Sequence, residues 1–250
     1  MIELMVEEDG GECRPWFEEA FEARYLDLYH HRNPETAAKE AAFALDVLAL
    51  GPGNRVLDVS CGPGYHVAAL RERGIEAMGL DLSASLLSCA ASSGGIVRGD
   101  MRYLPVSGPF DSVLTFYTTL GYFGEGENGR VLAEFARVLK RGGTFLIDHL
   151  NEACVRATLV PLSEREVKGR TIVETRWIEE NPPRVLKRVD ISGGRGGEKT
   201  YTESVRLYGE AELRGLLSQA GLAAEKVLGD FDGRPLTEDA PRMIFAGSKA

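Results

Sequence analysis

Residues 54–66 read NRVLDVSCGPGYH, and this stretch decides the fold. Arg55 to Val59 is a short apolar run with one carboxylate, Asp58, as is typical of a strand buried in a parallel sheet. Small residues at 60–64 predict a tight turn, and residues 67–72 have the pattern of a helix. Because glycine lacks a Cβ and tolerates positive φ, this strand-turn-helix unit lets a polar, nucleotide-like ligand approach the backbone.

The residues after the turn indicate which nucleotide-binding loops do not fit. A dinucleotide loop carries a third small residue, whereas residues 65–67 are Tyr, His and Val. A Walker loop needs a lysine after its last glycine, and none follows Gly64. A second carboxylate, Asp81, ends the apolar run of residues 77–80, where a parallel sheet has its ligand crevice.

The segment from Asp58 to Gly64, together with Asp81, resembles motifs I and II of the class I S-adenosylmethionine-dependent methyltransferases. The usual motif I is [DE]-x-G-x-G-x-G, and this chain has DVSCGPG, with Ser60 in place of the first glycine. The resemblance covers about residues 40 to 151. It implies an α/β fold: a Rossmann-like, seven-stranded, mostly parallel sheet with helices on both faces. Three further segments carry it: RGDM at 98–101, FDSV at 110–113 and LKRGGTFLI at 139–147.

The same resemblance implies that S-adenosyl-L-methionine is the cofactor. It places Asp81 on the ribose hydroxyls, although Asp81 is also interpreted as a helix cap. It places Asp100 on the adenine amino group and Met101 beside the adenine ring. Tyr25, on an aromatic amino-terminal helix, is predicted either to touch the ligand or only to pack. The full predicted cofactor set is Tyr25, Asp58, Ser60, Gly62, Gly64, Asp81, Leu82, Asp100, Met101 and Phe116.

The expected reaction is methyl transfer to a nitrogen or oxygen atom of a small-molecule acceptor by in-line displacement. His149, at the tip of the fifth strand, is the candidate general base, with a purely supporting histidine as the alternative. Tyr117 and Tyr122 lie in the loop after the fourth strand and are candidates to orient the acceptor, although a packed aromatic loop is equally open. The competing functions are a nicotinamide-dependent oxidoreductase and a non-catalytic binder of the same cofactor.

The pattern changes from helical spacing to alternation between residues 161 and 207. This region is predicted to be an inserted antiparallel β subdomain that covers the substrate or forms a dimer contact. Residues 1–160 and 208–250 then form the cofactor-binding core, with an amino-terminal helical cap. Asn181-Pro182-Pro183 imitates a signature of methyltransferases that act on bases or glutamine, but it does not follow the fourth strand. It is interpreted as a hairpin turn.

Composition limits the partners. The net charge of −9 argues against nucleic acid, and no apolar run approaches the length of a membrane span. The inserted region is different, because residues 164–206 carry 10 basic and 8 acidic side chains. Four cysteines without a C-x-x-C pair predict no metal site, no disulfide framework and a cytoplasmic location. The acidic amino terminus has no signal-peptide pattern, and a homodimer is possible.

Overall fold

The structure is a computed structural model that describes residues 14–22, 25–90, 94–194 and 197–250. The expectations for the acidic amino terminus and for Cys13 lie outside these ranges. Within them, no helix is long and apolar enough to cross a membrane.

The predicted seven-stranded, mostly parallel sheet is confirmed. Its strand order is β10-β11-β5-β4-β1-β2-β3, and only β11 runs antiparallel to its neighbours. Sequence order reverses beside β1, so the carboxyl ends of β1, β2 and β4 meet at a ligand crevice. The strands are β1 (Arg55–Val59), β2 (Glu76–Asp81), β3 (Ile96–Arg98), β4 (Phe110–Thr115), β5 (Leu139–Leu150), β10 (Leu222–Leu228) and β11 (Arg242–Lys249).

The helices cover both faces of this sheet. Two apolar clusters are buried against it, one around Phe135 and Phe145 and the other around Val56 and Leu70. The aromatic amino-terminal stretch forms two short helices rather than one. The helices are α1 (Trp16–Ala20), α2 (Tyr25–Leu28), α3 (Pro34–Val47), α4 (Tyr65–Arg71), α5 (Ala84–Ser88), α6 (Glu125–Val138), α7 (Glu152–Thr158) and α8 (Glu210–Gln219).

The region of alternating pattern is a separate antiparallel sheet of four strands in the order β6-β7-β8-β9. Asn181-Pro182-Pro183 lies in the turn between the second and third of these strands, as expected. The strands are β6 (Leu162–Val167), β7 (Arg170–Glu179), β8 (Arg184–Ser192) and β9 (Lys199–Arg206).

We call the segment formed by α1 and α2 the cap. A third apolar cluster joins it to the small sheet, with Ala20 and Leu28 from the cap and Ile172, Val189 and Tyr201 from the sheet. The cap therefore rests on the inserted sheet and also reaches the crevice of the large sheet.

Strand β5 begins before the glycine pair that follows α6. Cations followed by glycines, as in Lys140-Arg141-Gly142-Gly143, are typical of a helix end, but β5 starts at Leu139, which pairs with Phe110. The register then shifts before Thr144 pairs with Ser112. A bulge of this kind accommodates extra residues inside a ladder, so the glycines serve the strand and not a helix end.

Candidate active site

A cavity that is partly open to solvent lies between the cap and the carboxyl ends of β1, β2 and β4. The structure brings most of the predicted site residues to its wall: Tyr25, Ser60, Gly62, Asp81, Leu82, Asp100, Met101, Phe116, Tyr117 and Tyr122. Asp58, Gly64 and His149 are not part of the wall.

Asp81 joins the glycine-rich turn to the start of α5. Its Oδ2 accepts a hydrogen bond from the Gly62 amide at 2.8 Å, and its Oδ1 accepts one from the Ser83 amide at 2.8 Å. Burial raises the pKa of Asp81, although hydrogen bonds from the amides of Ser83, Gly62 and Leu82 oppose the increase. Ser83 itself caps α5, its Oγ accepting from the Leu86 amide, so capping does not depend on Asp81. A carboxylate has further lone pairs, which remain for ribose hydroxyls.

The turn between β1 and α4 has left-handed backbone at three positions. Gly62 has φ +53° and Gly64, the residue before α4, has φ +79°. Ser60, which replaces the first glycine of the motif, also has positive φ, at +63°. Its hydroxyl points to the Met101 sulfur at 3.7 Å. The serine therefore occupies the backbone conformation that glycine adopts at lower cost.

Asp58 lies beneath the turn rather than on the cavity wall. It is 1% exposed, and its Oδ2 is buried without a hydrogen-bond partner among the described residues. Burial raises the pKa of Asp58 to about 7. A carboxyl group in this state gains from a nearby cation, because a positive charge favours the ionised form.

Asp100 is on the cavity wall and is paired with Arg102. The Arg102 guanidinium donates to Asp100 Oδ2 at 2.6 Å, and the Arg102 amide donates to Oδ1 at 2.8 Å. Burial alone would raise the pKa of Asp100, but these bonds outweigh it and the pKa lies below its usual value. Asp100 is therefore a fixed anion at the position predicted for the adenine amino group.

Arg32 is a cavity residue that sequence reasoning did not identify. Its guanidinium donates to the Tyr25 hydroxyl, and its Cζ lies 4.3 Å from the ring centre of Tyr117 and 4.9 Å from that of Tyr29. No described carboxylate forms an ion pair with Arg32, and its Nε is buried without a partner. Burial lowers the pKa of Arg32. A desolvated cation in this state favours an anionic ligand group.

Sequence reasoning did not identify Glu40 either, because its helix has the apolar pattern of a helix that packs against a core. Its Oε2 accepts from the Tyr117 hydroxyl at 2.6 Å and lies 2.7 Å from His66 Nε2. The His66 ring in turn stacks on Phe116, with ring centres 3.9 Å apart and planes within 3°. No sequence signal links position 40 to the loop after β4, since the contact depends on how α3 packs.

Tyr122 stands among aromatic rings from the cap. Its ring centre is 4.7 Å from that of Trp16 and 5.8 Å from that of Phe21, with the Phe21 ring nearly parallel. Burial raises the pKa of Tyr122, so the phenol stays protonated at neutral pH. The hydroxyl can therefore donate one hydrogen bond and accept another.

His149 does not fit the expected role of a general base. It is 0% exposed, and its Nε2 donates to the Arg206 carbonyl oxygen at 3.1 Å. Burial lowers the pKa of His149 to about 3, which keeps the ring neutral. A base must reach the proton it removes, and this imidazole is buried beside Tyr208 and does not line the cavity. Its position agrees with the alternative of a supporting histidine and not with the general base.

The described residues contain no group of His, Cys, Asp or Glu side chains that could hold a metal ion. Comparisons with known proteins agree with the fold. A methyltransferase domain model matches residues 56–143.

Two curated relatives and one solved structure illustrate the similarity. A glycine/sarcosine N-methyltransferase from Parasynechococcus marenigrum (strain WH8102) is 30% identical over 208 residues, 78% of this chain and 72% of the relative. A dTDP-3-amino-3,4,6-trideoxy-alpha-D-glucopyranose N,N-dimethyltransferase from Streptomyces venezuelae is 25% identical over 233 residues, 88% of this chain and 97% of the relative. The crystal structure of Streptomyces venezuelae DesVI has a TM-score of 0.69 and 26% identity, covering 91% of this chain and 98% of that one.

Proposed function

Because the chain belongs to the class I S-adenosylmethionine-dependent methyltransferases, we propose that it methylates the amino group of a small molecule at the cavity beneath the cap. Membership of this family removes the nicotinamide-dependent alternative. The observation that carries the site assignment is Asp81, whose carboxylate holds the glycine-rich turn and faces the cavity.

The residues present fit S-adenosylmethionine, which combines hydroxyl groups, an adenine ring, a carboxylate and two positive centres. We assign Asp81 to the ribose and Asp100 with Met101 to the adenine, as the motif predicts. The unpartnered Arg32 Nε suits the carboxylate of the methionine part. The unpartnered Asp58 Oδ2 suits a positive centre. The carboxylate of the ligand thus meets a cation on the cavity wall that lacks a full set of partners, whereas Asp58 acts on positive charge from beneath the turn without lining the cavity.

When bound, S-adenosylmethionine supplies an activated methyl group and a good leaving group. The chain then has to orient the acceptor and exclude water. Phe17, Phe21 and Tyr122 form an apolar wall that excludes water from one side of the cavity. The Tyr122 hydroxyl accepts a hydrogen bond from the acceptor amine and orients its lone pair. No described residue needs to act as a strong base, because an amine can arrive deprotonated from solvent.

The relatives act on amino groups of nucleotide-linked sugars and of glycine, which supports nitrogen as the methylated atom. An oxygen acceptor would need a base, and the base candidate His149 lies outside the cavity. The net charge of −9 supports a small acceptor rather than nucleic acid.

The experiment measures transfer of labelled methyl groups to a panel of acceptors. The panel contains amino sugars, amino acids and the corresponding compounds that carry a hydroxyl group in place of the amine. We expect label on amines only, and Tyr122→Phe should lower kcat by roughly 10-fold, since one positioning hydrogen bond is lost. Binding of S-adenosylhomocysteine should be unchanged in this variant. Labelling of the hydroxyl compounds alone would contradict the proposal, as would binding of the cofactor without any transfer.

The inserted sheet, residues 161–207, is proposed to support the cap over the acceptor. A homodimer through its edge is the second prediction for this region, and the exposed Val160 and Leu162 beside edge strand β6 would form the contact. Sedimentation of the wild type and of a Val160→Ser/Leu162→Ser variant tests it. The cytoplasmic location stays a prediction from the cysteine pattern.

A further inference from the structure

Glu40 is a buried carboxylate that none of the motifs includes. It lies on α3 and is 6% exposed, and its Oε2 accepts a hydrogen bond from the Tyr117 hydroxyl at 2.6 Å. The same oxygen, Oε2, faces His66 Nε2 at 2.7 Å. One carboxylate oxygen therefore ties the loop after β4 to the first turn of α4, from a helix that precedes both in the chain.

The backbone of Tyr117 is held from the opposite side. Its amide donates to Asp148 Oδ2 at 2.6 Å, and Asp148 also pairs with Arg242 at 2.6 Å. Tyr117 has φ +61°, a left-handed conformation that is unfavourable for a non-glycine residue. The structure thus keeps an unfavourable conformation and anchors the residue at both its amide and its hydroxyl. Such a conformation is maintained where the surrounding contacts over-determine it.

The ring between these two anchors supports Arg32. The Arg32 Cζ lies 4.3 Å from the Tyr117 ring centre, the shortest of its three distances to tyrosine rings. A guanidinium over an aromatic face is attracted by the ring quadrupole, and its plane is fixed by the ring. Any displacement of the Tyr117 ring therefore displaces the cation.

We propose that Glu40 is a positioning residue for the amino-acid end of the cofactor, acting through Tyr117 on Arg32. The inference rests on the proposed function, because it uses the assignment of Arg32 to the carboxylate of the methionine part. Glu40 holds the Tyr117 hydroxyl, the Tyr117 ring holds the guanidinium, and the guanidinium binds the anion.

Two ligands separate this role from a general structural one. S-adenosylhomocysteine carries the amino-acid end, whereas 5′-methylthioadenosine lacks it and keeps the ribose and adenine. Glu40→Ala and Tyr117→Phe should each weaken binding of S-adenosylhomocysteine by roughly 10-fold, as measured by calorimetry. Binding of 5′-methylthioadenosine should stay within about twofold of wild type. Glu40→Gln should restore most of the affinity, because an amide oxygen still accepts from the Tyr117 hydroxyl.

A double variant tests whether the two residues act in series. Glu40→Ala/Tyr117→Phe should bind S-adenosylhomocysteine no more than about twofold more weakly than the worse single variant. Glu35→Ala, on the exposed side of the same helix, is the matched control and should bind both ligands as wild type does.

Equal loss of both ligands in Glu40→Ala, or additive losses in the double variant, would overturn the inference while leaving the proposed function intact. Wild-type protein that binds neither ligand would overturn both. Unchanged affinity for S-adenosylhomocysteine in Tyr117→Phe would remove Tyr117 from the chain of contacts and overturn the inference.

Discussion

At the scale of single residues, Asp81 carries two tasks with one carboxylate. It holds the amides of Gly62 and Ser83, and it presents its remaining lone pairs to the cavity. We expect Asp81→Asn to weaken S-adenosylhomocysteine binding at least about 10-fold, because the charge-assisted bonds are lost. The exposed Asp46→Asn is the charge-matched control and should bind as wild type does. Calorimetry measures both, and equal affinities in the two variants would remove Asp81 from the site.

Asp58 gives a prediction for pH dependence. Its pKa is raised from 3.8 to about 7 in the folded protein, so the folded state binds the proton more tightly than the unfolded state does. The stabilisation is fully present below about pH 4 and is lost as the pH rises through about 7. The difference between the two pKa values corresponds to up to about 4 kcal/mol.

Urea unfolding of the ligand-free protein across this pH range checks the Asp58 prediction. The free energy of unfolding of wild type relative to Asp58→Asn should fall as the pH rises and become constant above neutrality. A difference between the two proteins that does not change with pH would show that Asp58 ionises normally.

At the scale of elements, the turn between β1 and α4 depends on glycine at position 64. An added Cβ would lie 2.7 Å from Ile96 Cδ1, and the φ of +79° disfavours any side chain. The end of the Ile96 side chain can move away from the added Cβ, but the backbone strain at this φ cannot be relieved. Gly64→Ala should therefore destabilise the protein by about 1–2 kcal/mol.

The matched control for Gly64 is Gly126→Ala in α6, where an added Cβ meets nothing within 4 Å. Alanine is the better helix former, so this variant should be stabilised by up to about 1 kcal/mol. Thermal unfolding distinguishes the two, and the prediction is wrong if both shift the midpoint in the same direction.

The elements of the large sheet were predictable, because most of its strands are local apolar runs and several of its turns are marked by glycine. The positions of Asp81 and Tyr122 on the cavity wall followed from their place at or after strand ends, and that of Asp100 followed from the family resemblance. Arg32 and Glu40 were not predictable, since their roles arise from the packing of α2 and α3 against distant segments. For His149 the sequence left a general base and a supporting histidine open, because strand-end position does not report whether a side chain faces the crevice or the interior.

At the scale of the whole molecule, three lysines of the inserted sheet hold the cap. Lys168 pairs with Asp27 at 2.5 Å, and Lys187 donates to the Tyr29 hydroxyl. Lys199 pairs with Glu22 at 3.0 Å and also donates to the Glu19 carbonyl oxygen at 2.7 Å. The slight excess of basic residues in this sheet therefore has a defined use. It complements an acidic cap that forms one wall of the cavity.

Lys199→Met should loosen the cap, because it removes an ion pair and a bond to a backbone carbonyl while keeping most of the side-chain volume. We expect S-adenosylhomocysteine to dissociate roughly 3- to 10-fold faster, measured by stopped-flow tryptophan fluorescence. The control is Lys140→Met. Lys140 pairs with Asp111 near the amino-terminal end of β4, and the cavity lies at the carboxyl end of that strand. Equal dissociation rates in the two variants would show that the insert does not restrain the cap.

The separation in sequence between the cap and its anchors affects how the protein is made. The contacts from Lys168, Lys187 and Lys199 span 141, 158 and 180 residues. During synthesis the cap leaves the ribosome long before its supports, so it docks late although it is made early. A growing chain can thus form the early strands of the sheet, but the cap has no lysine supports until residues 168–199 have been synthesised.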